Sequence, residues 1–287
     1  MVEIKSPLEQ TCCWTEYRNC RSLTPMPALE IVRRPGLLDY PEGLDLQRQL
    51  HAEVVTGRSP GALVLCEHPS VYTAGRRTEP SDLPTNGAPV VEVDRGGRIT
   101  WHGPGQLVAY PIVRLAEPLD VVAWVRDLEQ VIIDVAAAVG VRAARIEGRS
   151  GAWITKDAGH DDAGTRTADK VGAIGLHVAE GVTSHGIAIN CTNALDAYAA
   201  IVPCGIADAG VTTLSAAAGR TVTVDEVATA VARRVQDAAD GMHTGDRIST
   251  MHTGDRISTT HTGDRISTTH TGDRISTTHS PRQETLV

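Results

Sequence analysis

The sequence has no phenylalanine in 287 residues, and only three of its 27 basic residues are lysines: Lys5, Lys156 and Lys170. Without Phe a core must be assembled from Val, Ile, Leu and Ala, which suits sheets and helices packed in layers. Positive charge is also short. The formal net charge of -8 argues against a nucleic-acid partner, because neutralising phosphates takes a surplus of Lys and Arg. No apolar run has the length of a signal-peptide core or a membrane span, so no membrane association is expected. None of the six cysteines (Cys12, Cys13, Cys20, Cys66, Cys191 and Cys204) stands in the Cys-x-x-Cys spacing of a zinc site, and their scatter is not that of a disulfide framework. A cytoplasmic protein with reduced thiols and no bound metal is the expectation.

What is present falls into three stretches. Residues 1–28 are polar and irregular and read as a flexible arm. Residues 242–287 hold four copies of His-Thr-Gly-Asp-Arg-Ile-Ser-Thr, starting at His243, His252, His261 and His270, each with a single large apolar residue, and read as a disordered tail. Residues 29–241 read as one α/β domain. Basic and acidic residues balance at both ends, so the whole negative charge belongs to the middle. Helices are predicted over Asp45–Val55 and Pro118–Val139, the second carrying Val121, Val125, Leu128, Ile132, Val135 and Val139 as one stripe and ended by Gly140. A third starts at Thr223, with Glu226 completing a capping box and Val227, Val231 and Val235 on one face. Strands are predicted at Gly61–Cys66, Pro89–Val93, Gln106–Val113, Val171–Val178 and Thr183–Cys191, with Cys66 and Cys191 as small core residues. The Asp-, Gly- and Thr-rich Thr155–Asp169 reads as a surface excursion.

Three segments carry candidate chemistry. Arg95-Gly96-Gly97-Arg98-Ile99-Thr100-Trp101-His102, continuing Gly-Pro-Gly-Gln106, sets donors beside bare backbone, as either a ligand loop or a plain hairpin turn would. It has neither the third glycine nor the following helix of a dinucleotide fingerprint. Lys170 heads an apolar strand thinned by Gly172, Ala173 and Gly175. In a chain whose usual cation is Arg, a Lys there is either an ordinary surface residue or a group able to give up its proton. Cys204, between Pro and Gly in Ile201-Val-Pro-Cys-Gly-Ile206, is either structural or a nucleophile turned out of a tight bend. An ammonium near that thiol would stabilise its thiolate.

Taken together, Arg95-Gly-Gly-x-x-Thr-Trp-His-x-x-Gly-Gln-x-Val-x-Tyr110, Lys170-x-x-Ala-Ile-Gly, Ser184-His-Gly-Ile-Ala-x-Asn190 and Ile201-Val-Pro-Cys-Gly-Ile206 resemble the lipoyl(octanoyl) transferases, also called lipoate-protein ligase B, and in particular their actinobacterial members. Glu67-His-Pro and Tyr72-Thr-x-Gly-Arg-Arg77 agree upstream. The resemblance implies a mixed, largely antiparallel sheet with packed helices, the fold of biotin and lipoate protein ligases. It implies that Cys204 carries the acyl group as a thioester and that Lys170 lowers its pKa and moves protons. Residues 95–102, Ala173-Ile174-Gly175 and Gly186-Ile187-Ala188 would line the acyl pocket, and backbone N–H groups near His102 and His185 would hold the oxyanion. The implied donor is acyl carrier protein, whose phosphopantetheine bears the octanoyl group. The implied acceptors are lipoyl domains of 2-oxoacid dehydrogenases and the glycine cleavage H protein, and neither ATP nor metal is implied. An ATP-dependent ligase, a thioesterase and a non-catalytic lipoyl-domain binder are the alternatives.

Overall fold

The computed structural model describes residues 28–155, 168–201 and 209–244. The N-terminal arm, most of the Thr155–Asp169 excursion, Cys204 and almost all of the repeat tail lie outside the described residues. In chain order the elements are β1 (Glu30–Leu37), α1 (Tyr40–Val55), β2 (Gly61–Glu67), β3 (Val71–Ala74), β4 (Val90–Glu92), β5 (Thr100–His102), β6 (Gln106–Val113), α2 (Val121–Ala138), β7 (Ala144–Ile146), β8 (Arg149–Thr155), β9 (Ala168–Ala179), β10 (Val182–Asn190), β11 (Gly210–Val211), α3 (Leu214–Ala218) and α4 (Val224–Thr244). The main sheet runs β1-β2-β6-β10-β9-β8-β7 with β11 beside β9, and a small sheet runs β4-β3-β5. Only β1/β2, β3/β4 and β9/β11 pair in parallel, so the sheet is mixed and largely antiparallel, as expected. Among the described residues no helix is long and apolar enough to cross a membrane.

The two faces of the main sheet are covered differently, and that difference makes the site. On one face α2 and α4 pack Leu128, Val131, Ile132, Val231 and Val235 against Leu63, Leu107, Ala109, Ile187 and Ile189. Side chains of this kind contribute ~1.5–3 kcal/mol each when fully buried. The predicted stripe on α2 is therefore real, but the helix begins at Val121, because the Asp120 carboxylate accepts the Ala123 N–H at 2.8 Å and caps it there. Gly140, with φ of +82°, closes it in the left-handed conformation that lacks a Cβ penalty. At α4 half of the predicted capping box forms. Thr223 Oγ1 accepts the Glu226 N–H at 3.3 Å, while the Glu226 carboxylate turns to Arg220 at 2.7 Å.

On the other face α1 covers Ala62, Val64, Val108, Ile112 and Val182 with Leu50 and Val54. It begins at Tyr40, a turn earlier than the predicted Asp45, with Pro41 in its first turn. Beyond α1 this face is open along β10 and β9, and the small sheet stands over the opening.

Candidate active site

An open cleft of about 750 Å³ lies between the uncovered sheet face and the small sheet. That is the scale of a small-molecule pocket. Its floor is Gly186 and Ala188 on β10 with Ala173 and Gly175 on β9; Ile187 and Ile174 border it while their side chains join the helical core. Val108 and Tyr110 on β6 and Tyr40 at the start of α1 close one end, and Arg77, Arg98 and Arg149 stand around it. Both predicted strand triplets thus meet, paired in register Ile187↔Ile174 and Ala188↔Ala173.

The 95–102 segment divides according to strand geometry. Thr100 and His102 face the cleft, while Ile99 and Trp101 join Tyr72, Tyr198 and Ile201 in a separate buried cluster. Side chains one apart on a strand point to opposite faces. Gly97, Arg95 and Arg98 line the cleft and Gly96 does not. The Gly96 N–H donates to the Leu176 carbonyl at 2.7 Å and ties the loop to β9. The Arg95 guanidinium donates to the carbonyls of Thr73, Gly96 and Arg98 at 2.7, 3.0 and 2.8 Å, so it builds the loop from within. It also lies over Gly175, where a Cβ would come within 2.8 Å of its Cδ. Arg98 is held by Asp82 at 2.8 Å and Glu79 at 2.5 Å.

A polar network backs the cleft. The His102 Nδ1–H donates to the Gln106 side-chain oxygen at 2.7 Å, and the Gln106 amide donates to Asn190 Oδ1 at 2.8 Å and the Tyr198 hydroxyl at 2.9 Å. Asn190 in turn donates to the Thr212 carbonyl at 3.0 Å, and the Thr212 N–H donates to the Lys170 carbonyl at 3.0 Å. Burial pushes the His102 imidazole down to about 3, so it is neutral at physiological pH. His68 donates from Nδ1 to the Leu38 carbonyl at 2.6 Å, which leaves Nε2 to accept the Tyr110 hydroxyl at 2.8 Å. Burial lowers its pKa and holds the Tyr110 phenol well above its usual range.

His185, at φ of +57°, donates from Nε2 to Asp94 at 2.7 Å, and that bond, above other causes, lowers the Asp94 pKa. Three backbone N–H groups near His102 and His185, where oxyanion donors are expected, already have partners. The His185 N–H goes to Gln47 at 2.8 Å, the Gly105 N–H to Glu67 at 2.6 Å and the Gln106 N–H to the Gly103 carbonyl at 3.1 Å. Tyr40, Val108, Tyr110 and His185 also line the cleft, although sequence reasoning did not assign them to it. Val108, Tyr110 and His185 lie inside quoted motifs, which was the available sign.

Lys170 is 7% exposed. With Thr100, Ala173 and Ala188 of the cleft it borders a smaller space beneath, closed by Gln106, Asn190, Tyr198 and Val211. The described flanks of the segment that contains Cys204, Ile201 and Val211, both pack in the cluster at this end of the sheet, and Val211 pairs with Lys170. Cys66 and Cys191 are core residues, both pushed up to about 12 by burial.

The half-covered mixed sheet, the open cleft on its bare face and the buried lysine beside it belong to a catalytic domain of the lipoyl protein ligase class. Residues 39–236 match the lipoyl protein ligase A/B catalytic domain. The chain belongs to that family and, within it, to the octanoyltransferases; it is an enzyme, an acyltransferase. It is 63% identical over 188 residues to an octanoyltransferase of Clavibacter sepedonicus, covering 66% of this chain and 80% of the relative. It is 58% identical over 210 residues to one from Mycobacterium sp. (strain KMS), covering 73% and 85%. Among solved structures, the bipartite lipoate protein ligase of Thermoplasma acidophilum, studied with its E2 lipoyl domain, superposes with a TM-score of 0.54 over 73% of this chain and 83% of its own. At 15% identity that likeness establishes the fold.

Proposed function

We propose that this cytoplasmic enzyme takes an octanoyl group from acyl carrier protein onto Cys204 and passes it to the target lysine of lipoyl domains, the first step of endogenous protein lipoylation. The observation that carries the reading is Lys170, a buried cation at the base of an apolar-floored cleft, on the strand that pairs with the element following the Cys204 segment. The Cys204 thiolate attacks the thioester carbonyl of the acylated phosphopantetheine, the carbon–sulfur bond of the donor breaks, and the Lys170 ammonium protonates the departing thiolate. Lys170, now neutral, accepts the proton of the lipoyl-domain amine as it attacks the Cys204 thioester, and Cys204 leaves as thiolate. Thioester to amide runs downhill, so the reading calls for no ATP and no metal. The acceptors are lipoyl domains of 2-oxoacid dehydrogenases and the glycine cleavage H protein, in keeping with the lipoyl domain studied with the archaeal ligase. Residues 29–241 form the proposed catalytic unit; α4 carries on to Thr244.

Mass spectrometry after mixing the enzyme with octanoyl carrier protein tests this. One octanoyl group on Cys204, discharged on addition of a lipoyl domain, is expected. Hydrolysed donor without acylated lipoyl domain would make it a thioesterase, and no adduct at all would make it a binder.

A further inference from the structure

We propose that Trp153 is the positioning residue for Lys170: the indole face holds the ammonium at the base of the cleft, and a β-bulge in β9 turns Lys170 onto that face. The proposal rests on the acid–base reading of Lys170 given above.

The bulge is read from the register. Between β8 and β9, Ala152 pairs with Gly172 and Trp153 with Lys170, so one step on β8 is matched by two on β9. Side chains alternate along a regular strand, and Lys170 and Gly172 would then share a face. Gly172 faces the helical core, where a Cβ would come within 2.7 Å of Ile132. A regular β9 would therefore drive the Lys170 ammonium into Leu, Ile and Val side chains. The extra residue, Val171, is taken up in that core, and Lys170 emerges on the opposite face with Ala173 of the cleft floor. Re-aiming a side chain next to a site is what such bulges do.

On that face Lys170 meets Trp153. Its Nζ is 4.6 Å from the indole centroid, within cation–π reach, and Trp153 is 1% exposed, so little water competes for the contact. The indole N–H has no hydrogen-bond partner. Lys170 is the nearer of two cations over the ring; the Arg149 guanidinium lies 5.8 Å from the same centroid. β8 is itself anchored: fully buried Glu129 on α2 accepts the Gly151 N–H at 3.0 Å and binds Arg126 and Arg145 at 2.7 and 3.0 Å.

The test replaces Trp153 alone by mono-, di- and trifluorotryptophan, which drain the ring face while keeping its shape. The expected result is a kcat for octanoyl transfer that falls stepwise, by about threefold to tenfold at three fluorines, with KM for octanoyl carrier protein and the melting temperature unchanged. Trp153→Phe, which keeps an aromatic face, should retain more turnover than Trp153→Leu. A flat fluorine series, or equal loss in the Phe and Leu variants, overturns the proposal. The series is repeated on Arg149→Gln, and a slope that vanishes there assigns the effect to Arg149 and overturns the proposal; Lys170→Met is measured alongside. If it is inactive and the fluorine series is flat, only the role of Trp153 falls. If it turns over normally, the reading of Lys170 falls first and this one with it.

Discussion

Ala109 leaves Gly186 no room for a side chain: a methyl group there would collide with the Ala109 carbonyl oxygen across the β6–β10 pair. Gly186 floors the cleft next to His185, whose backbone is already in the left-handed region. Gly186→Ala is expected to lose about 1–3 kcal/mol of stability through overpacking and to raise KM for the acyl donor as β10 is pushed from β6. Denaturant midpoints and transfer kinetics check this; an alanine variant with wild-type stability would contradict the close approach.

Buried neutral histidines make stability fall in acid. His102 sits at about 3 when folded and returns to about 6.5 when unfolded. Between those values the unfolded chain binds a proton that the folded chain does not, so stability drops as pH falls from about 6.5 toward 3, by up to ~1.4 kcal/mol per pH unit for this group. His68 and His177, also lowered chiefly by burial, act in the same direction. Urea melts between pH 4 and 7 should show this slope, and His102→Asn should flatten it. An unchanged slope in that variant would remove His102 as its source.

Lys170→Arg separates charge from proton transfer. Guanidinium keeps the positive charge but stays protonated, so transfer should fall by roughly two orders of magnitude or more. Alkylation of Cys204 by iodoacetamide is the companion measurement. Cys66 and Cys191, held near 12, should stay unlabelled in the native protein at neutral pH. Near-normal alkylation with lost transfer fits both roles, whereas near-normal transfer refutes the proton shuttle.

Carrier docking should depend on the arginines at the cleft. Arg77 lines it directly, while Arg98 is held by Glu79 and Asp82. Arg77→Glu is expected to raise KM for the acidic carrier protein severalfold at low salt, with less effect at high salt. A KM unmoved at low salt would exclude this rim.

The helices and the inner strands were legible because their apolar periods are unbroken: α2 on its Val and Leu stripe, β2 and β6 as continuous buried runs. β1 was not, since Arg33-Arg34-Pro35-Gly36 at an exposed edge has no inward face to alternate. β5 was hidden inside what read as a glycine loop, because Thr100–His102 is a strand only through its pairing with β3. Once that strand is seen, the outward turn of Ile99 and Trp101 follows from its period of two. The motifs located the cleft floor. Tyr40 reaches the cleft from an element distant in sequence, and nothing in its local pattern marks it. The bulge that turns Lys170 was equally silent, being a property of the β8–β9 register and not of either strand alone.

The scarcity of lysine acquires a meaning beside the burial of Lys170. Among the described residues it is the only lysine, and just 7% of it is exposed. Under the proposed mechanism, in which an acyl thioester is delivered to a lysyl amine, any exposed lysine of the enzyme would be a competing acceptor. Guanidinium, protonated at any physiological pH, is a very poor acceptor. Over the described residues the exposed long-chain cations are arginines, which would keep charge for docking without offering a competing amine.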